Sequence, residues 1–234
     1  MRNLLIALTL LYNIGLVNSQ NWTKLSNGGK GLEITNDGRK LWLIGMDNSI
    51  FTLNGSMWNE YRGDGKAKDI AADNGSAYII GLGNGIWKSN GSGWTPMPGN
   101  GKGKRIFSSK GKIWLIGMDN DIFQFSQNQW KLYPGGGKAI DIAANGNTPY
   151  IIGQGGKVYR GNGMGWTELS GGGIGKKITC DSNGTLWLIG QNNNVFYYKS
   201  NRWVEYGGGK AISITSVRGK PYIVGLGNSI WTAN

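Results

Sequence analysis

Apolar and polar positions alternate in short runs along almost the whole chain and never settle into a helical period. Runs such as 'KAIDIA' (138–143) alternate residue by residue, whereas 'LWLIG' (41–45) and 'PYIIG' (149–153) are apolar throughout, and turns rich in glycine and asparagine separate them. A period of two predicts strands with one covered face, and a continuous apolar run predicts a strand covered on both. The segments recur in one order: a tryptophan-bearing strand, a glycine-rich loop, an alternating strand, a turn, an apolar strand, a second turn, and a short strand ending in an aromatic, such as 'SIF' (49–51).

The repeat is marked by Trp22, Trp58, Trp94, Trp130, Trp166 and Trp203, spaced 36 residues apart and 37 at the last step. The loop copies read 'LSNGGKGLEI', 'YRGDGKAKDI', 'MPGNGKGKRI', 'YPGGGKAIDI', 'LSGGGIGKKI' and 'EYGGGKAISI'. A period of this length with four strands and no helix predicts a β-propeller of about four strands per blade. From the channel outward the strands are termed A ('KAIDIA'), B ('LWLIG', 'PYIIG'), C (ending at the aromatic of 'SIF') and D (the periodic tryptophan).

The sequence after residue 19 opens on a D strand, 'QNWTKL', and the chain closes on a C strand, 'SIWTAN'. A ring in which the first segment completes the last sheet accounts for both and removes an exposed edge. The expected fold is therefore all-β: a six-bladed β-propeller of four-stranded antiparallel blades, closed by the N-terminal strand. Within it the units alternate. Units one, three and five carry Trp42, Trp114 and Trp187 in strand B, and units two, four and six carry Tyr78, Tyr150 and Tyr222. The finer period is a pair of units.

Composition agrees with many tight turns around aromatic strands: 42 glycines and 11 tryptophans in 234 residues. The first 19 residues, one arginine followed by a short apolar run ending in small residues, predict a secretory signal peptide cut between Ser19 and Gln20. The domain expected is 20–234, in a secreted protein without a stable membrane span. Cys180 is the only cysteine, so no internal disulfide forms and packing must carry stability.

The units resemble tectonin-type repeats, with a tryptophan, a 'GGGK' loop, and then [WY]-x-I-G-x-x-N-x-[IV]-[FWY]. That resemblance covers the chain beyond the leader. It implies a secreted or surface β-propeller lectin of the tectonin, tachylectin-1 and fish-egg-lectin-like groups, with ligands such as lipopolysaccharide, N-acetylglucosamine or O-methylated sugars.

Strand direction places the D-to-A loops and B-to-C turns on one face. The loops align Lys30, Lys66, Lys102, Lys138 and Lys210, with Ile174 in the fifth unit; they read either as a cationic ring or as solvated strand starts. The turns align Asn48, Asn84, Asn120, Asn193 and Asn228, with Gly156 in the fourth. Asparagine there serves a left-handed turn or meets sugar hydroxyls with its amide. Trp58 and Trp94 read as stacking platforms or as packing between blades. Five Asn-x-Ser/Thr sequons, at Asn21, Asn54, Asn74, Asn90 and Asn183, map to the opposite face as sites for N-glycosylation, leaving the first face bare.

The formal charge of +12, with 13 acids and no histidine, favours an anionic partner and leaves few groups for acid–base chemistry. The reading is a non-catalytic, multivalent glycan-binding protein without cofactor or obligatory metal, and not a nucleic-acid binder. A protein-binding scaffold is the alternative. The oligomeric state is left open by the sequence.

Overall fold

The computed structural model describes residues 21–25 and 28–233; the expected signal peptide and its cut site lie outside the described residues. The described residues form 23 strands in chain order. A short β1 (Trp22–Lys24) precedes four four-stranded sheets. The first holds β2 (Gly31–Asn36), β3 (Leu41–Gly45), β4 (Ile50–Asn54) and β5 (Met57–Glu60). The second holds β6 (Ala67–Asp73), β7 (Ser76–Gly81), β8 (Ile86–Ser89) and β9 (Trp94–Pro96). The third holds β10 (Gly103–Ser109), β11 (Lys112–Gly117), β12 (Ile122–Ser126) and β13 (Gln129–Leu132). The fourth holds β14 (Ala139–Asn145), β15 (Thr148–Gly153), β16 (Val158–Gly161) and β17 (Trp166–Glu168).

The remaining strands are β18 (Gly175–Cys180), β19 (Leu186–Gly190), β20 (Asn194–Lys199), β21 (Arg202–Val217), β22 (Lys220–Gly225) and β23 (Ile230–Ala233). They join β1 in a seven-stranded sheet, ordered β1-β23-β22-β21-β20-β19-β18. The reason is β21, whose 16 residues run without a break through 'YGGGK'. Its first part pairs with β20 and its second, from Ala211, with β22. At the far edge β1 adds to β23, with Trp22 opposite Ala233 and Lys24 opposite Trp231.

All pairings are antiparallel, the sheet topology of a β-propeller. The innermost strands β2, β6, β10, β14, β18 and β21 lie against one another in succession, and β21 lies against β2. Each of the six carries a β-bulge just inside its pairing with the next strand, as between Ala67 and Asp69, and in β21 between Ala211 and Ser213. The bulge re-aims the next side chain, Asp69 in the first case, and sharpens the twist.

The core lies between sheets. The B strands are fully buried in the first and fifth repeats, and Trp42, Trp114 and Trp187 are at most 2% exposed. Their partners in the alternate repeats, Tyr78, Tyr150 and Tyr222, are half-buried. One strand boundary differs from expectation. The C-strand aromatic stands second in the strand (third for Phe196 in β20), not last, because Phe51 and its equivalents continue to pair with strand D, as Phe51 does with Glu60.

Candidate binding face

Each B-to-C turn is built on one left-handed residue. Asn48, Asn84, Asn120, Asn193 and Asn228 have φ between 63° and 68°, and Gly156 takes the position at 81°. The N–H of Asn48 donates to the Gly45 carbonyl three residues back, and all six turns repeat this bond. Asparagine tolerates this region better than other side chains, which explains its alignment here.

The carbonyl of the same residue then reaches the following repeat. Asn48 O accepts from Ala67 N, Asn84 O from Gly103 N, Asn120 O from Ala139 N, and Asn193 O from Ala211 N. Gly156 O accepts from Gly175 N, and Asn228 O accepts from Gly31 N, which links the last repeat to the first. The turns and the glycine-lysine loops therefore share one face, where they alternate around the channel mouth.

The loop glycines serve two separate needs. Gly63, Gly99, Gly135 and Gly171 take positive φ. Gly65, Gly101 and Gly173 do not; they are small because an indole lies against them. A Cβ on Gly65 would come within 2.3 Å of Trp94 Nε1, and one on Gly29 within 2.6 Å of Trp58 Nε1. Trp58 and Trp94 are half-buried beneath the loop that enters their own repeat. Trp22 and Trp166 donate their Nε1 hydrogens to the loop, to Gly207 O at 2.9 Å and Gly136 O at 2.7 Å, whereas those of Trp58 and Trp94 meet no acceptor.

Lys30, Lys66, Lys102, Lys138 and Lys210 are all exposed. Lys66 donates to Asp47 at 2.7 Å and Lys138 to Asp121 at 2.8 Å. The Lys66 hydrogen bond, with a second from Ser49, holds the Asp47 carboxyl well below the usual range. Lys210 is hydrogen-bonded to Asn194 and to the Asn192 carbonyl. The side chains of Asn84 and Asn120 accept from Lys68 and Lys104 at 2.9 and 2.8 Å, and that of Asn193 accepts from Lys176. Asn228 instead donates to Gly31 O at 3.0 Å. Four of the five amides are thus engaged by their neighbours.

In the second repeat these parts enclose a cavity of about 480 Å³ between the loop 63–66 and the turn 81–85, with Trp87 and Trp94 as walls. Trp87 presents a partly exposed ring, at 36%. The five sequon asparagines are exposed. Asn54, Asn74 and Asn90 stand at the ends of β4, β6 and β8 remote from the turns, Asn183 in the β18–β19 connection, and Asn21 before β1.

Sequence reasoning missed the channel. Behind the bulges, Glu33, Asp69, Arg105, Asp141, Lys177 and Ser213 occupy equivalent positions, five of them ionisable. Arg105 lies between Asp69 (3.5 Å) and Asp141 (3.6 Å), and Lys177 meets Glu33 at 2.5 Å. Burial raises the Asp69 carboxyl to about 7 and also raises Asp141. Burial works the same way on Glu33, but Lys177 and Arg105 overcome it and leave that group lowered. At this level the void holds about 30 Å³, near the volume of one water. The channel is constricted here and opens, toward the other ends of the inner strands, into a cavity of about 400 Å³ lined by Asp37, Asp73, Ser109 and Asp181. The signal was present in the series 'EI', 'DI', 'RI', 'DI', 'KI', 'SI', which reads as a solvated strand face until the bulge is known.

Among the described residues no three His, Cys, Asp or Glu side chains are grouped to hold a metal ion, and no helix is long and apolar enough to cross a membrane.

No known family model and no curated protein matches the sequence. Solved structures do match in shape. A YCF48 structure bound to a D1 peptide is 13% identical with a TM-score of 0.55, over 93% of this chain and 84% of that one. The gluconolactonase XC5397 from Xanthomonas campestris is 9% identical with a TM-score of 0.65, over 93% and 90%. The WD40 β-propeller domain of Doa1 is 10% identical with a TM-score of 0.63, over 91% and 97%. At such identities the likeness establishes the β-propeller fold alone.

Proposed function

We propose that this chain is a secreted, non-catalytic, multivalent carbohydrate-binding propeller of the tectonin type. We take the seven-stranded sheet as two blades sharing β21, which makes six blades in all, with β1 completing the last. The observation that carries the functional reading is the cavity of the second repeat. A glycine-lined loop, a turn offering backbone groups and a partly exposed Trp87 suit the polar edge and apolar face of a sugar ring. The same parts recur around the face, so weak sites gain through effective concentration rather than through new contacts. Anionic or methylated surface saccharides are the ligands favoured, and the sequons opposite leave this face open.

The ion network narrows the channel behind the binding face, so the reading rests on the turn-and-loop face rather than on the channel. The neighbours in shape include both a gluconolactonase and a peptide-bound propeller, so fold alone favours no activity.

The test is a glycan array with the protein lacking residues 1–19, probed at low and high salt, beside Trp87→Ala. Salt-resistant binding of a defined sugar, weakened at least tenfold by the substitution, supports the reading. Binding only to sulfated or phosphorylated glycans, abolished by salt, would move recognition to the lysine loops. A blank array would overturn the reading in favour of a protein-binding scaffold.

A further inference from the structure

The second residue of each B-to-C turn stands at the tip of that turn and serves none of its hydrogen bonds. In sequence order the six are Met46, Leu82, Met118, Gln154, Gln191 and Leu226. The four apolar ones are 51%, 49%, 41% and 55% exposed. They belong to repeats one, two, three and six, which are consecutive around the mouth because Asn228 O binds Gly31 N. Trp87, Ile140 and Ile174, also exposed, lie on this face as well. Away from it, the exposed large apolar side chains are Met57, at the start of β5, and Met164, in the β16–β17 connection, while Leu132 ends β13 where the chain enters a loop of this face. Exposed apolar groups concentrated on one face mark a contact surface.

Between these tips stand the loop lysines. Lys30 and Lys102, among the described residues, make no ion pair or hydrogen bond through their ammonium groups, and Lys66 lies between them in the ring. Apolar tips and cations thus share one level on one side of the mouth. A protein partner presents one shape to one site. A pattern repeated over four turns around an axis suits a partner that is uniform in the plane of contact, apolar just below its surface and anionic at it.

We infer that this arc docks on an anionic lipid surface, with the turn tips of repeats six, one, two and three entering the headgroup layer and the loop lysines meeting its phosphates. At the turn tips the contact comes from repeats six, one, two and three, because Gln154 and Gln191 stand at the tips of repeats four and five, where Ile140 and Ile174 add exposed apolar surface beside them. The inference does not depend on sugar binding, and sequon glycans on the far side leave the arc clear.

The experiment is co-sedimentation of the protein lacking residues 1–19 with vesicles of phosphatidylcholine alone and of phosphatidylcholine with 30% phosphatidylglycerol. These carry no sugar, so the result is independent of the glycan array. The decisive variant is M46Q/L82Q/M118Q/L226Q, which installs the residue that repeats four and five already bear, so the fold accepts it; an unchanged melting curve checks this. Expected is binding to the anionic vesicles only, reduced at least tenfold in the glutamine variant. The variant K30Q/K102Q should lose affinity about fivefold per lysine removed, as roughly 1 kcal/mol for each cation near an anionic surface implies. No binding to anionic vesicles would overturn the inference. So would undiminished binding by the glutamine variant, since the attraction would then be charge alone.

Discussion

The six contacts between neighbouring repeats are of two kinds. Where an odd repeat meets the next even one, three aromatic rings stack outward from the core. Trp42, Tyr61 and Trp94 have centroids 5.0 and 5.2 Å apart, and Trp114, Tyr133 and Trp166 are 5.5 and 4.9 Å apart. Trp187, Tyr206 and Trp22 repeat the pattern at 5.0 and 5.8 Å. Where an even repeat meets the next odd one, the middle ring is replaced by Met97, Leu169 or Leu25, and the fully buried part of those junctions carries no aromatic ring, the aromatics standing at its edge.

The second kind is fastened at the axis instead. Asp69 accepts from Ile106 N, Asp141 from Ile178 N, each at 2.6 Å, and Ser213 from Ile34 N at 3.0 Å. One junction relies on buried aromatic area, the other on a polar clasp in the channel. The lesson is that the structural unit is a pair of repeats, with a different adhesive on each side.

The largest effect should come from attacking the aromatic junction. Trp114→Ala removes a ring with no exposed surface and should cost about 4 kcal/mol, whereas Tyr150→Ala at the equivalent half-buried position should cost clearly less. Urea unfolding of the two variants checks this, and equal losses would erase the distinction.

Next comes the clasp. Asp141→Ala leaves a buried N–H orphaned and takes one carboxylate from Arg105, for a cost of about 3 kcal/mol. Ser213→Ala at the third clasp removes a neutral acceptor and should cost about 1 kcal/mol. Similar values for the two would mean that the ionic part of the clasp contributes nothing.

The aromatic alternation stood in the sequence. The loop copies begin L, Y, M, Y, L and, one residue in, Y, so the tyrosine of every second junction was visible once Trp42, Trp114 and Trp187 had revealed the pairing. A ring needs a matching partner of definite size, and size shows in sequence. The clasp did not show. Asp69 and Asp141 look like the polar half of an alternating strand, and only the bulge turns them inward. The same limit applied to the turn face. Asn48 and its equivalents announced a turn, but their engagement with Lys68, Lys104 and Lys176 depends on distances that spacing does not report.

The smallest effect is in the response to pH. Asp69 is raised from 3.8 to about 7, so folding favours its neutral form. Its contribution is complete below about pH 4 and is lost as pH rises through about 7. Glu33, lowered by Lys177 and Arg105 against its burial, acts oppositely and loses its contribution as pH falls below the ordinary glutamate range. Melting temperatures of the wild type and of Asp69→Asn between pH 5 and 8 should therefore converge as pH falls, with the flatter profile in the variant. Parallel profiles would place the proton elsewhere in the network.

Cys180 closes β18 inside the junction of repeats four and five, 9% exposed, its thiol pushed up to about 12 by burial. The thiolate is the form that attacks an alkylating reagent, so the folded ring, which keeps this thiol protonated, slows its modification. The chain thereby carries one built-in reporter: its single thiol reads out the state of the seam between repeats four and five without a label having to be engineered.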